Sequence, residues 1–159
     1  MNRGTLPRAA LAIAVYAVLL AMAGAARAEN PTPHPGTRVL ETSFSYGELV
    51  ERLDAAVKDN KMGLVTRASA TKGAASIGKT IPGNMVVGVY RPDFAVRMLE
   101  ASVAAGIEAP LRFYITEEAD GTATLTYRTP SAVFAPYEVP ALDEMARELD
   151  AIFARIAQQ

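Results

Sequence analysis

Arg112, Tyr114 and Arg128 are the residues whose types and spacing point most directly to chemistry. Leu111, Phe113 and Ile115 alternate with Arg112, Tyr114 and Thr116; Ala123, Leu125 and Tyr127 alternate with Thr124, Thr126 and Arg128. Period-two alternation of this kind marks two half-buried strands, and Asp120-Gly121 between them marks a hairpin turn. A two-residue loop would set Phe113 opposite Arg128 and mix apolar with polar faces. A three-residue loop, Ala119-Asp120-Gly121 with Gly121 left-handed, sets Phe113 opposite Tyr127 and Ile115 opposite Leu125. A slip of one residue flips every side chain to the other face, so the alternation selects the three-residue loop. Arg112 then falls opposite Arg128 on the second face, Tyr114 opposite Thr126, and Thr116 opposite Thr124. Like charges directly opposite cost about 0.2–1 kcal/mol unless something neutralises them. Planar guanidinium groups suit carboxylate or phosphate-like anions, and Arg91 is placed near the rim of the same face. The competing reading pairs the two arginines with Glu41, Glu117 or the last helix, or across to a second subunit.

Other chemistries find little support. The chain has no Cys and one His, His34. Without a Cys or a core His, neither a Ser–His nor a Cys–His nucleophile can be assembled. A single His in a tail is too few ligands for a metal. Glu117-Glu118 lie beside the hairpin turn, where a solvated pair is expected rather than a catalytic one. Gly73-Ala74-Ala75-Ser76-Ile77-Gly78-Lys79-Thr80 fits the phosphate-loop pattern letter for letter. That loop must open a helix whose N-terminus faces the phosphates. Here Ile81-Pro82-Gly83 follows at once, and no later apolar strand ends in an Asp to hold magnesium. The segment is read as a flexible Gly/Ala loop between strands, with small-anion contact through its N–H groups as the lesser alternative. The sequence therefore predicts a protein that is not an enzyme and takes no cofactor or metal.

The elements that would position the arginines are read as follows. Arg38 to Phe44 is a strand. Ser45 and Glu48 form a capping box for a helix with the stripe Leu49, Val50, Leu53, Ala56 and Val57, ending near Asn60. Leu64 to Ser69 is a second strand. Met85-Val86-Val87-Gly88-Val89-Tyr90 is apolar at every position except Gly88, which suits an interior strand covered on both faces. Pro92 and Asp93 start a helix with the apolar face Ala95, Met98, Leu99 and Val103, stopped near Gly106. After the hairpin, a loop bounded by Pro136 and Pro140 leads to a last helix from about Ala141 to Ala157. Its stripe is Leu142, Met145, Ala146, Leu149, Ile152, Phe153 and Ile156. The order β-α-β-β-α-β-β-α predicts an α+β domain, three helices on one face of a curved, mostly antiparallel sheet.

The first 28 residues have the parts of a secretory signal: Arg3 and Arg8, the apolar run Ala9 to Ala23, and Ala26-Arg27-Ala28 as an A-x-A cleavage site. The run is short for a membrane span. Residues 29–37, with Pro31, Pro33 and Pro35, form a polar tail, extended and mobile, and residues 38–159 form one domain. The signal holds three of the sixteen basic residues and none of the seventeen acidic ones, so the remainder carries a net charge of −4. That balance argues against nucleic acid as a partner. The expected product is periplasmic or secreted, soluble, and free of the membrane after cleavage.

Gly88-Val89-Tyr90-Arg91-Pro92, Ala109-Pro110-Leu111-Arg112, Asp120-Gly121 and Tyr127-Arg128-Thr129-Pro130 resemble the domain-of-unknown-function 302 family, over roughly Phe44 to Ile156. The resemblance implies a TATA-binding-protein-like α+β domain and no established activity. Many members carry a His after the second strand. Ala70-Thr71-Lys72 stands there in this chain, so that His has no counterpart. The usual Asn or Asp before the last Pro is replaced by Arg128-Thr129, which makes the arginine face particular to this subgroup. Taken together, the residues predict an exported, non-catalytic module binding a small anionic ligand. The alternative is a structural or protein-partner module, homodimeric or otherwise, using the second face with Tyr90 and Tyr114 as an interface.

The signal sets the first test. Exported protein should begin at Glu29 by N-terminal sequencing; exported protein that still begins at Met1 would contradict cleavage.

Overall fold

The two alternating runs close into the centre of a single sheet. The computed structural model describes residues 33–158, so the segment read as a secretory signal and the first part of the expected tail lie outside the described residues. The strands are β1 (Thr37–Ser45), β2 (Gly63–Ser69), β3 (Asn84–Tyr90), β4 (Leu111–Glu117) and β5 (Thr122–Arg128). They form one open antiparallel sheet in the order β1-β5-β4-β3-β2. The helices are α1 (Tyr46–Asp59), α2 (Ala70–Ser76), α3 (Pro92–Ala101), α4 (Pro130–Phe134) and α5 (Pro140–Ile156). Two 3₁₀ turns, Val103–Glu108 and Ala135–Tyr137, complete the chain.

The β4–β5 register is Phe113 with Tyr127, Tyr114 with Thr126, Ile115 with Leu125, and Thr116 with Thr124. The Glu118 N–H donates to the Thr122 carbonyl at 2.8 Å, and the Gly121 N–H to the Glu118 carbonyl at 3.1 Å. Ala119, Asp120 and Gly121 are thus the loop, and Gly121 has φ +85°. Asp120 holds the turn through Oδ1, which accepts from the Thr122 N–H and hydroxyl. Those two bonds keep its carboxyl below the usual carboxylate range.

Phe113, Ile115, Leu125, Met85, Val87 and Val89 are buried beneath the helices. The stripe predicted for the last helix is buried at every position. Phe153 is fully enclosed: its ring stacks on Phe113 at 4.6 Å and tilts against Tyr127 at 5.7 Å. Leu49, Leu53, Ala56 and Val57 of α1 complete the core. Across the opposite face, one row of residues runs Val39, Thr126, Tyr114, Val86, Ala68 through all five strands.

Five expectations need correction. The Gly/Ala segment is not a loop, because Ser69 caps α2 by accepting the Lys72 N–H and the helix runs to Ser76. The α3 helix ends at Ala101 rather than near Gly106. Ser102 is extended (φ −161°), which breaks the helical period and turns the following residues outward. Phe94, Ala95 and Met98 are buried, but Leu99 and Val103 are 46% and 80% exposed. The segment after β5 is helical rather than a loop, with Thr129 capping α4. The Ser45 capping box is half formed: Ser45 Oγ accepts the Glu48 N–H, while Glu48 turns to Arg52 instead. Finally, β3 is interior in the sheet, yet Val86 and Tyr90 on its second face are only half-buried. Among the described residues no helix is long and apolar enough to cross a membrane.

Phe153 links both halves of the hairpin to α5. Truncating an enclosed Phe costs about 3–5 kcal/mol, against a typical domain stability of about 5–15 kcal/mol. Phe153→Ala should therefore lower the melting temperature by well over 10 °C or leave the chain unfolded, as read by circular dichroism. An unchanged melting curve would make α5 peripheral.

Candidate functional site

One step beyond the Phe113–Tyr127 pair, β4 and β5 each present an arginine to the open face. Arg112 has Gly88 as its neighbour on β3, and Arg128 has Thr37 as its neighbour on β1. Both arginines line one small cavity of about 60 Å³, walled by Glu108, Leu111 and Val133. Both side chains are exposed. Arg128 Nη2 donates to the Ala132 carbonyl at 3.1 Å, at the end of α4, where a cation meets the negative end of the helix. The carbonyl occupies one of five N–H groups. Arg112 makes no side-chain hydrogen bond, and neither arginine is in an ion pair among the described residues.

Among the described residues, none of the acids named as internal partners is in an ion pair with either arginine. Glu41 is level with Thr124 on the β1–β5 ladder. Glu117 is not simply solvated: its Oε2 accepts the Gly83 N–H at 2.6 Å, tying the start of β3 to the end of β4. Glu118 accepts from the Thr116 hydroxyl. The acid that does reach the arginine cavity is Glu108, and its Oε1 accepts from the Tyr137 hydroxyl at 3.1 Å. Desolvation of the phenol, reinforced by the Glu108 carboxylate, raises the Tyr137 pKa. Tyr137 thus stays protonated and donates, which fixes Glu108 in place.

Of the four residues singled out in the sequence, the fold brings two together. Tyr114 points its hydroxyl to the Asn84 amide, which donates to it, and does not line the cavity. Arg91 is held away from the pair. Its Nε and Nη2 donate to Asp93 Oδ1 and Oδ2 at 2.8 and 3.0 Å, and its guanidinium lies 4.1 Å from the centre of the Phe94 ring. The hydrogen bond from Arg91 keeps the Asp93 carboxyl below its usual range. Arg91 stands instead at the mouth of a second cavity, about 30 Å³ and almost wholly apolar, among Val89, Phe94, Met98, Ala109, Leu111 and Phe134. Glu108 and Val133 were not found in the sequence. Their only signal is adjacency to the Ala109-Pro110 and Thr129-Pro130 segments, and what brings them to Arg112 is tertiary packing.

The phosphate-loop pattern wraps the wrong end of a helix. Gly73 lies inside α2, and the Gly78 and Lys79 N–H groups donate to the Ala75 and Ala74 carbonyls. Those N–H groups are spent on closing a helix C-terminus, where carbonyls rather than donors face outward. The segment therefore cannot serve as the anion-contacting loop considered as the lesser alternative. Among the described residues no group of three or more His, Cys, Asp or Glu is placed to hold a metal.

Comparison with known proteins gives the same fold. The family described as Domain of unknown function DUF302 matches residues 38–159. The crystal structure of an uncharacterized conserved protein DUF302 from Bacillus stearothermophilus aligns with a TM-score of 0.68 at 22% identity, covering 79% of this chain and 95% of that one. A search of curated proteins found no match.

Gly88 is what lets Pro110 and Thr66 close over the sheet beside Arg112. A Cβ at this position would lie 2.2 Å from Thr66 Oγ1 and 2.8 Å from Pro110 Cγ. Overpacking of this kind costs about 1–3 kcal/mol. Gly88→Ala should lower stability by that amount in urea denaturation and displace Pro110; a neutral result would show that the Ala109–Leu111 segment yields freely.

Proposed function

The chain belongs to the Domain of unknown function DUF302 family, a description that assigns no activity, and on that premise we propose a reading from its own residues: an exported, non-catalytic module that binds a small anion between Arg112 and Arg128. The observation that carries it is the pair of guanidiniums lining one concavity, with no carboxylate bonded to either among the described residues. Two like charges on adjacent strands repel, and a bound anion converts that repulsion into two charge-assisted contacts. A leader with the three parts of a secretory signal supports export. A chain without Cys, and with His34 as its one His, supports a binding role over catalysis.

A second reading, a module that docks a protein partner or a second copy, is favoured by Val96, Leu99, Val103 and Ile107. These follow one another along α3 and the 3₁₀ turn after it, and they are 46–82% exposed. It makes the arginines incidental, so the two readings part in one experiment.

Arg112 is the residue to change, because among the described residues its side chain is in no ion pair. Arg112→Thr should leave the melting temperature of the ligand-free protein unchanged or raise it. The same change should weaken binding of small carboxylates by about tenfold or more, since a hydrogen bond to a charged group contributes about 1.5–3 kcal/mol. The measurement is thermal shift with a panel of small organic acids on both proteins. A lowered melting temperature in Arg112→Thr, with no response of either protein to any anion, would end the binding reading and leave the docking one.

A further inference from the structure

The arginine cavity and the apolar cavity share a wall. Leu111 lines both. On either side of it, consecutive residues divide between the two: Glu108 faces the arginines and Ala109 the apolar cavity, Val133 faces the arginines and Phe134 the apolar cavity. Leu111 itself is half-buried at the start of β4, and its side chain is the part of the wall common to both cavities. Beyond it the space is lined by carbon: Val89, Phe94, Met98 and Phe134.

Glu108 limits the charge the site can take. Two guanidiniums and one carboxylate line the arginine cavity, a net charge of +1. A monoanion neutralises that; a dianion leaves an excess negative charge beside Glu108, which Tyr137 holds in place. The volumes limit size. About 60 Å³ accommodates a carboxylate and its first carbon, and about 30 Å³ beyond Leu111 accommodates one or two more.

Resting on the anion-binding reading above, we propose that the ligand is a short-chain aliphatic monocarboxylate. Its carboxylate lies between Arg112 and Arg128, and its hydrocarbon end passes Leu111 into the apolar cavity. Leu111 is then the residue that sets chain length. Arg91, at the far mouth of the apolar cavity and occupied by Asp93, takes no part in holding the carboxylate.

The test is a titration series with acetate, propionate, butyrate, pentanoate, hexanoate and inorganic phosphate, each followed by calorimetry or thermal shift. Each methylene buried strengthens binding about three- to fourfold, so affinity should climb from acetate to propionate or butyrate and then level off, with phosphate weakest. Leu111→Ala should extend the climb by one or two carbons, while Arg112→Thr should weaken every acid alike. The series on the unsubstituted protein decides the matter even if Leu111→Ala fails to fold. Acetate binding as tightly as butyrate, or phosphate binding more tightly than any acid, would overturn this inference and leave the arginine cavity standing as an anion site. No response to any of the anions would overturn both.

Discussion

The left-handed backbone of Gly121 is the constraint on which the rest depends. It allows a three-residue loop, and that loop fixes which side chains of β4 and β5 share a face. Phe113, Ile115, Leu125 and Tyr127 fall beneath α1 and α5, and the stack of Phe113, Phe153 and Tyr127 follows. The alternative register would bring Arg128 opposite Phe113, pressing a permanent charge into the core. Burying an unpaired charge costs several kcal/mol or more, far above the few tenths that separate one turn type from another. Register is thus decided by the core, and Gly121 is the residue that lets the turn comply.

The same constraint produces the arginine pair as a by-product of segregating the faces. Once Phe113 and Tyr127 point inward, Arg112 and Arg128 must point outward on neighbouring strands. Among the described residues, no acid forms an ion pair with either arginine. The fold offers Arg128 one carbonyl at the end of α4 and places Glu108 in the cavity wall, already engaged by Tyr137. Elsewhere Arg52 pairs with Glu48, Arg67 with Asp54, Arg91 with Asp93 and Arg97 with Glu148, while Arg38, Arg147 and Arg155 are exposed and in no ion pair among the described residues. Lack of an ion pair does not therefore set Arg112 and Arg128 apart; what favours a site is that both line one concavity.

What was legible in the sequence was whatever periodicity controls. The hairpin register, the Leu142 to Ile156 stripe, the Leu49 to Val57 stripe and the DUF302 fold all rest on apolar spacing and turn chemistry, which are local. What was not legible depended on competition between local preferences. The Ala-rich segment from Ala70 to Ser76 has good helix formers and a Ser cap; its glycines and the nearby Pro82 obscured that. The end of α3 turns on the extended backbone at Ser102, which no residue type announces and which carries Val103 out of the core; Leu99, still within the helix, lies outside the buried face of Phe94, Ala95 and Met98. The rim position expected for Arg91 is not the one it takes, because Asp93, two residues on, and the Phe94 ring capture it. Glu108 reaches the site through packing of the Val103–Glu108 turn against α3 and α4, a tertiary fact.

The claim that Arg112 and Arg128 act together on one anion is tested most directly by the side-chain Nε–Hε signals of the arginines in nuclear magnetic resonance, assigned through Arg112→Gln and Arg128→Gln. As butyrate is added, the signals of Arg112 and Arg128 should shift together along one saturable curve, while those of Arg91 and Arg97, already held by Asp93 and Glu148, stay in place. Arg112 and Arg128 signals that remain fixed, or that drift in proportion with those of every other arginine without saturating, would contradict the account.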